Sequence, residues 1–120
     1  MAISEEEKEF ASHVVDLLQS VGPCESKRMF GGFGIFLEGL MFGLIADNVL
    51  YFKVDDENRS RFDEEGLPPF TYDKNGKSME MSYCQAPEEA LEDLEIMRDW
   101  GVLGFEAALR NAAGKVKKKR

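Results

Sequence analysis

The sequence predicts an α+β domain with the order helix, three strands, helix, two strands and a C-terminal helical region. Apolar residues recur at helical spacing near both ends, and a short polar segment in the centre lies between capping residues and a glycine. Between them lie strand-like segments joined by tight-turn signals. Strands that are grouped between helices and joined by hairpins form antiparallel sheets. We therefore expect a five-stranded, mainly antiparallel, curved sheet with the helices packed on it.

Length and charge divide the chain into residues 1–114 and a short tail. A chain of 120 residues suits one domain, and 43% apolar residues suffice for a core. The net charge of −8 is uneven, because Lys115–Arg120 contain five of the fifteen basic residues. Residues 1–114 hold the other ten basic residues and all 23 acidic residues. We expect residues 1–114 to fold and Lys115–Arg120 to form a disordered basic tail.

A first helix is predicted from Glu5 to Ser20. Ser4 and Glu7 have the spacing of a capping box. An apolar stripe at helical spacing follows, formed by Phe10, Val14, Leu17, Leu18 and Val21. The Gly-Pro pair at residues 22–23 stops the helix.

Residues 27–54 are rich in glycine and aromatic residues and predict three strands. The glycines at positions 31, 32 and 34 are too dense for a straight strand, so they indicate a bulge or bend. Glu38-Gly39 and Asp47-Asn48 are tight-turn signals that separate the three strands. The first two strands are apolar on both faces, which indicates central or covered positions.

The second half of the chain predicts a short helix, a hairpin and a C-terminal helical region. The short helix covers about residues 57–65 and ends at a glycine. Strands at 70–72 and 77–83 flank an Asn-Gly turn. Pro87 then opens either one long helix or a short turn followed by a longer helix, which continues to about Ala113. Gly101 indicates either a break in that helix or close packing.

Five segments carry a resemblance to a known family. They are residues 27–36, 41–45, 50–55, 69–72 and 79–83, beginning with Lys-Arg-Met-Phe-Gly-Gly-Phe-Gly-Ile-Phe. Together they resemble the TfoX N-terminal domain family, over about residues 6–110. The resemblance implies a helix and a curved antiparallel sheet like those of secretion-chaperone-like α/β folds. It supplies no catalytic residues, so we expect a protein that is not an enzyme.

The resemblance also implies a role in gene regulation. Family members with a second domain, which resembles a helix-hairpin-helix module, regulate natural competence together with the cyclic-AMP receptor protein. Here Lys115–Arg120 stand where that domain would begin, so we expect a single-domain member. We expect a bacterial regulator of transcription or competence that binds another protein, with a transcription regulator as the candidate partner. A homodimer is an alternative.

A second functional hypothesis is a small-ligand, nucleotide or anion site at the glycine-rich segment. Its candidate binding residues are Lys27, Arg28, Gly31, Gly32, Phe33 and Gly34. Backbone N–H groups of closely spaced glycines can hold a phosphate. However, the segment lacks the Lys-Ser/Thr of a P-loop, and it precedes a strand instead of a helix. The interpretation of these glycines as a bend in the sheet is therefore favoured.

The remaining reactive residue types favour structural roles. His13 is the only histidine, and Cys24 and Cys84 are its only soft partners, so no metal or cofactor is expected. The acidic run at residues 55–57 suits a helix cap, and the Asp-Lys-Asn-Gly run at residues 73–76 suits a turn. Two cysteines without Cys-x-x-Cys spacing, and no long apolar run, predict a cytoplasmic protein without a membrane segment.

Two kinds of surface remain candidates for partners. The tail residues Lys115, Lys117, Lys118, Lys119 and Arg120 predict at most weak, salt-sensitive nucleic-acid binding, because the preceding residues are acidic. Apolar residues on both faces of the first strands predict a protein-interaction surface, with Phe33 and Met41 as exposed candidates.

Overall fold

Six antiparallel strands form a single sheet in the computed structural model, which describes residues 4–29 and 31–118. The strand order across the sheet is β1-β2-β3-β4-β6-β5. The elements are α1 (Glu5–Leu18), β1 (Glu25–Met29), β2 (Gly32–Leu37), β3 (Leu40–Ala46), β4 (Val49–Lys53), α2 (Arg59–Glu64), β5 (Pro69–Lys74), β6 (Lys77–Gln85), a 3-10 helix (Glu88–Leu91) and α3 (Leu94–Lys118).

The predicted α+β class and antiparallel sheet are confirmed, but the predicted number of five strands is wrong. The glycine-rich segment reverses the chain and does not bend one strand. Met29 pairs with Gly32, and Gly31 between them has a φ of +75°, which a glycine adopts without steric cost. Residues 25–37 therefore form a hairpin, and the extra strand β1 becomes one edge of the sheet.

The three predicted tight turns are confirmed. Each has two central residues with positive φ: 53° and 78° at Glu38-Gly39, 51° and 60° at Asp47-Asn48, and 52° and 79° at Asn75-Gly76. Two successive residues with positive φ are the mark of a type I′ turn, whose twist matches that of the flanking strands. These turns fix the register of three hairpins.

The first helix begins with the predicted capping box. Glu7 N donates to Ser4 Oγ at 3.2 Å, and Ser4 N donates to the Glu7 carboxylate at 3.0 Å. The helix ends at Leu18, two residues before the predicted end. Its apolar stripe packs in the core with α3 and one face of the sheet.

The C-terminal region is a 3-10 turn followed by a longer helix, as one of the two predicted alternatives. Gly101 does not break α3. A Cβ atom at Gly104 would lie 3.0 Å from the carbonyl oxygen of Phe42 and 3.2 Å from Cβ of Phe52. At Gly101 a Cβ atom would lie 2.7 Å from Leu18 and 2.9 Å from Val21, so the close-packing interpretation is confirmed there. The missing side chain at Gly104 likewise lets α3 lie directly on β3 and β4.

Polar contacts attach α3 to the segment after β4. The side-chain nitrogen Nδ2 of the buried Asn58 donates to the carbonyl oxygens of Lys53 at 3.2 Å and Leu103 at 2.9 Å. The Arg110 guanidinium donates to both carboxylate oxygens of Asp55 at 2.6 and 2.9 Å. The acidic run at residues 55–57 is thus part of this attachment, and Asp55 also accepts from two backbone N–H groups.

The backbone of α3 is helical as far as Lys118, whereas the sequence predicted disorder from Lys115. Lys119 and Arg120 lie outside the described residues. The division into a domain of residues 1–114 and a tail stays a prediction.

Candidate functional site

The two faces of the sheet differ in what covers them. Both α1 and α3 pack on the face that carries Ile35, Leu50 and Phe52. Because side chains alternate along a strand, the intervening residues point to the opposite face. Ala108, Asn111 and Ala112 of α3 border that opposite face at the end that holds Met41 and Tyr83. None of the described helices lines the rest of that face. We call it the uncovered face.

A bulge in β3 decides which residues reach the uncovered face. Ile35 pairs with Gly43 while Phe36 pairs with Met41, so Phe42 is an extra residue in β3. Phe42 lies on the helix side, stacked on Phe52 with ring centroids 6.4 Å apart. Met41 lies on the uncovered face beside Phe36.

The uncovered face is concave and holds an apolar groove of about 390 Å³. Its lining includes Met29, Met41, Leu44, Phe70, Tyr72 and Met81. Met29 is on β1 and Tyr72 is on β5, which are the two edge strands of the sheet. Side chains from opposite edges can line one groove because the sheet curves. The predicted curvature is therefore seen directly.

Gly34 lies in β2 on the uncovered face, next to the groove. A Cβ atom there would lie 2.8 Å from the Met29 sulfur, 2.9 Å from the Phe36 ring and 3.2 Å from the Met41 sulfur. The absence of a side chain at Gly34 lets Met29, Phe36 and Met41 pack directly on the backbone of β2. Methionine side chains are flexible and polarizable, so such a surface can adapt to different apolar partners.

Aromatic rings form one wall of the groove. The rings of Tyr51 and Phe70 meet edge to face at 5.0 Å, and Phe70 stacks on Tyr72 at 6.4 Å. Tyr72 is 40% exposed, as is Met79, which pairs with it across β5 and β6. This wall belongs to a hairpin whose residues from 71 to 80 are all exposed. The hairpin therefore presents apolar side chains to solvent.

Lysines border the apolar surface. The ammonium of Lys27 lies 4.9 Å from the centre of the Phe36 ring, and that of Lys53 lies 5.2 Å from the Tyr83 ring. Tyr83 is buried, and its hydroxyl donates to the carbonyl oxygen of Met41 at 3.3 Å. Burial raises the pKa of Tyr83 to about 12, so this phenol is neutral at physiological pH.

The structure does not bring the predicted anion-binding residues together. Lys27 points to the uncovered face, where it also approaches Glu25 at 3.8 Å, whereas its neighbour Arg28 points to the other face. Phe33 is 7% exposed in the core, so its prediction as an exposed residue is wrong. Gly32 and Gly34 lie in β2, where Gly32 pairs with Met29 and Gly34 pairs with Lys27 and Leu44. An anion site at this segment stays a prediction.

The other reactive residues are held apart in structural roles. The Nε2 atom of His13 lies 2.7 Å from the carbonyl oxygen of Leu91, to which it donates. Cys24 and Cys84 are buried, and burial raises the pKa of both thiols. Protonated, buried thiols are poor nucleophiles. Within residues 4–29 and 31–118, no three His, Cys, Asp or Glu side chains are grouped to hold a metal ion.

The acidic run at residues 55–57 and the turn at residues 73–76 have structural explanations. Hydrogen bonds from Arg110 hold the pKa of Asp55 below its ordinary value. Arg110 also approaches Glu57 at 3.0 Å. Lys74 and Lys77 pair across the Asn75-Gly76 turn, which closes the β5–β6 hairpin.

The sequence indicated an apolar interaction surface but missed most of the groove. Met41 was among its candidates and does line the groove. Phe70, Tyr72 and Met81 were assigned only to strands. The signal that could have identified these three residues was the alternation of apolar and polar residues in this hairpin. No predicted helix was left to cover its apolar face.

No helix in the described part of the chain is long and apolar enough to cross a membrane.

Two comparisons with known proteins agree on the relationship of this chain. The model of the TfoX N-terminal domain family matches residues 16–108. The DNA transformation protein TfoX1 of Aliivibrio fischeri (strain ATCC 700601 / ES114) is 32% identical over 73 residues. That match covers 61% of this chain and 35% of the relative, so it spans about a third of the relative's length.

Proposed function

Because the chain belongs to the TfoX N-terminal domain family, we propose that it is a non-enzymatic regulator of DNA transformation that acts by binding a protein partner. The regulatory role comes from the name of the relative and from the competence role that the family implies. The observation that carries the binding mode is the apolar groove on the uncovered face.

The groove supports binding because its apolar side chains have no cover from the described helices. An apolar surface of this kind on a soluble domain is typical of protein-interaction sites. It combines a central concave part with flexible methionines and an aromatic wall, which are residue types enriched at interfaces. The candidate partner is a transcription regulator.

A genetic test examines separately whether the protein regulates transformation and whether the groove is its binding surface. We would delete the gene in the bacterium that encodes the chain, and measure transformation frequency and competence-gene transcripts. Deletion should lower both at least tenfold. Complementation with wild-type protein should restore them, whereas complementation with Tyr72→Asp should not. Leu94→Asp is the matched control, since Leu94 is 53% exposed on α3 and lies outside the groove.

The outcomes distinguish two failures. If deletion changes neither transformation nor transcripts, the regulatory proposal is wrong. If deletion lowers both but Tyr72→Asp complements fully, the role stands and the groove is not the binding surface. Affinity capture of a transcription regulator by the full chain and by residues 1–114 would locate the partner-binding function outside the tail.

A further inference from the structure

The uncovered face differs in charge from the rest of the protein. Residues 1–114 contain five lysines, and four of them fall on the uncovered face by strand alternation and pairing: Lys27, Lys53, Lys74 and Lys77. Glu25 is the one acidic residue among the 23 of residues 1–114 at a strand position on that face. Even with the turn residues Glu38 and Asp47 counted, basic residues outnumber acidic ones there.

The backbone of the floor favours one kind of occupant. The strands β2, β3 and β4 each pair with neighbours on both sides, so their N–H and C=O groups are used within the sheet. An extended chain lying across them would bury its own backbone groups without partners. A helix satisfies its backbone groups internally and can bury one apolar stripe in a groove.

We propose that the groove binds an acidic amphipathic helix of a partner protein. Apolar side chains of that helix enter the groove between Met29 and Tyr72, and its carboxylates face the lysines around it. The helix proposal rests on the proposed function, because it describes the chemistry of the protein partner named there. Charge complementarity of this kind steers association and sets orientation.

Two other occupants fit the described residues less well. A second copy could offer α1, which is acidic, but the apolar residues of α1 are already buried in its own core. Single-stranded nucleic acid could stack on Phe70 and Tyr72. It would carry one negative charge per nucleotide past a protein whose first 114 residues have 23 acidic and ten basic residues.

Binding of designed peptides to the full chain tests the proposal. The first probe is a fluorescent peptide of about 18 residues, which gives several helical turns. It carries leucines at positions i, i+3, i+4 and i+7, a few glutamates on the opposite face, and alanines elsewhere, because a helix filled with glutamates would unfold by like-charge repulsion. Its controls are a scrambled peptide of the same composition, a twin with lysines in place of glutamates, and a thymidine oligonucleotide. Fluorescence anisotropy reports each dissociation constant at low and high salt.

We expect the acidic helical peptide to bind at least tenfold more tightly than the scrambled and basic peptides, and to lose affinity with added salt. Tyr72→Asp should weaken binding at least tenfold, and Leu94→Asp should not. The double variant Lys27→Glu and Lys74→Glu should weaken it similarly. The matched control, with the same change in net charge, is Lys8→Glu combined with Arg98→Glu, because these two residues lie on α1 and α3 outside the groove.

Each contrary outcome overturns the helix proposal. These are equal binding of the scrambled or basic peptide, tighter binding of the oligonucleotide that Tyr72→Asp abolishes, and a stable dimer in sedimentation that Tyr72→Asp dissociates. Circular dichroism melts of each variant check that it is folded. If the peptide fails while Tyr72→Asp still lowers transformation, the proposed function stands and only the partner chemistry is wrong.

Discussion

The two faces of this sheet are built from similar residue types but differ in burial and in helix cover. On the covered face, Ile35 and Phe52 are fully buried, and α1 and α3 lie against them. On the uncovered face, Leu44 and Tyr83 are buried among strand side chains, but Met41 and Tyr51 are only half-buried. Helix contact requires room for a close approach, which Gly101 and Gly104 give on the first face. Apolar content alone therefore does not decide which face becomes core.

Charge placement reinforces the difference. Lysines alternate with apolar residues on the strands of the uncovered face, and the ammonium groups of two of them, Lys27 and Lys53, lie over aromatic rings. Such cations keep an apolar surface hydrated while leaving it available to a partner. On the covered side, an ion pair between Asp55 and Arg110 instead attaches the second half of α3 to the segment after β4.

The largest expected effect comes from truncating neighbouring aromatic residues on opposite faces. Phe52→Ala leaves a cavity beneath α3 and should lower the free energy of unfolding by about 3–5 kcal/mol. Tyr51→Ala, one residue away, should lower it by about 1–2 kcal/mol because its ring is half-exposed. Urea unfolding of both variants measures this. Equal losses would contradict the distinction between the faces.

The next test concerns the close approach of α3. Gly104→Ala places a methyl group against the Phe42 carbonyl and Phe52, which are main-chain and core atoms that cannot move aside. It should lower the free energy of unfolding by about 1–3 kcal/mol. Gly114→Ala is the control, since beyond the neighbouring backbone of α3 no described atom lies within 4 Å of its added methyl. The control should be neutral or stabilise the helix by up to about 1 kcal/mol.

The sequence alone could predict the features that depend on neighbouring residues, but not those that depend on how distant segments pack. Turn residues such as Asn75-Gly76 and the Ser4–Glu7 cap act locally, so their structures were predictable from residue type and spacing. The reversal at Gly31 was not, because a glycine cluster fits a bulge as well as a turn until Met29 and Gly32 are seen to pair. The groove depends on which face the helices cover and on the extra residue Phe42, which are non-local properties.

An intermediate effect is expected from the ion pair between Asp55 and Arg110. The lowered pKa of Asp55 means that its contribution to stability is present above its ordinary pKa of 3.8 and is lost as pH falls. Asp55→Asn should cost about 1–2 kcal/mol at pH 7. The difference from wild type should shrink toward pH 2. The control Asp56→Asn, at an exposed neighbouring carboxylate, should change stability little at either pH.

The smallest effect on stability is expected at the lysines of the uncovered face. Lys27→Gln and Lys74→Gln should each change the free energy of unfolding by less than about 0.5 kcal/mol, because both side chains are exposed. The same substitutions should weaken binding of the acidic peptide. Thermal melts and anisotropy on the same samples separate the two quantities. Parallel losses in both would indicate a structural role and not a binding role.

In the proposed function, the uncovered face is the binding surface of this domain. Nuclear magnetic resonance of the isotope-labelled full chain, titrated with the acidic helical peptide, tests it most directly. We expect the amide signals that shift to belong to residues such as Met29, Leu44, Tyr72 and Met81, and those of α1 to stay unchanged. Shifts confined to α1 and α3, with the strand signals of the groove unmoved, would contradict it.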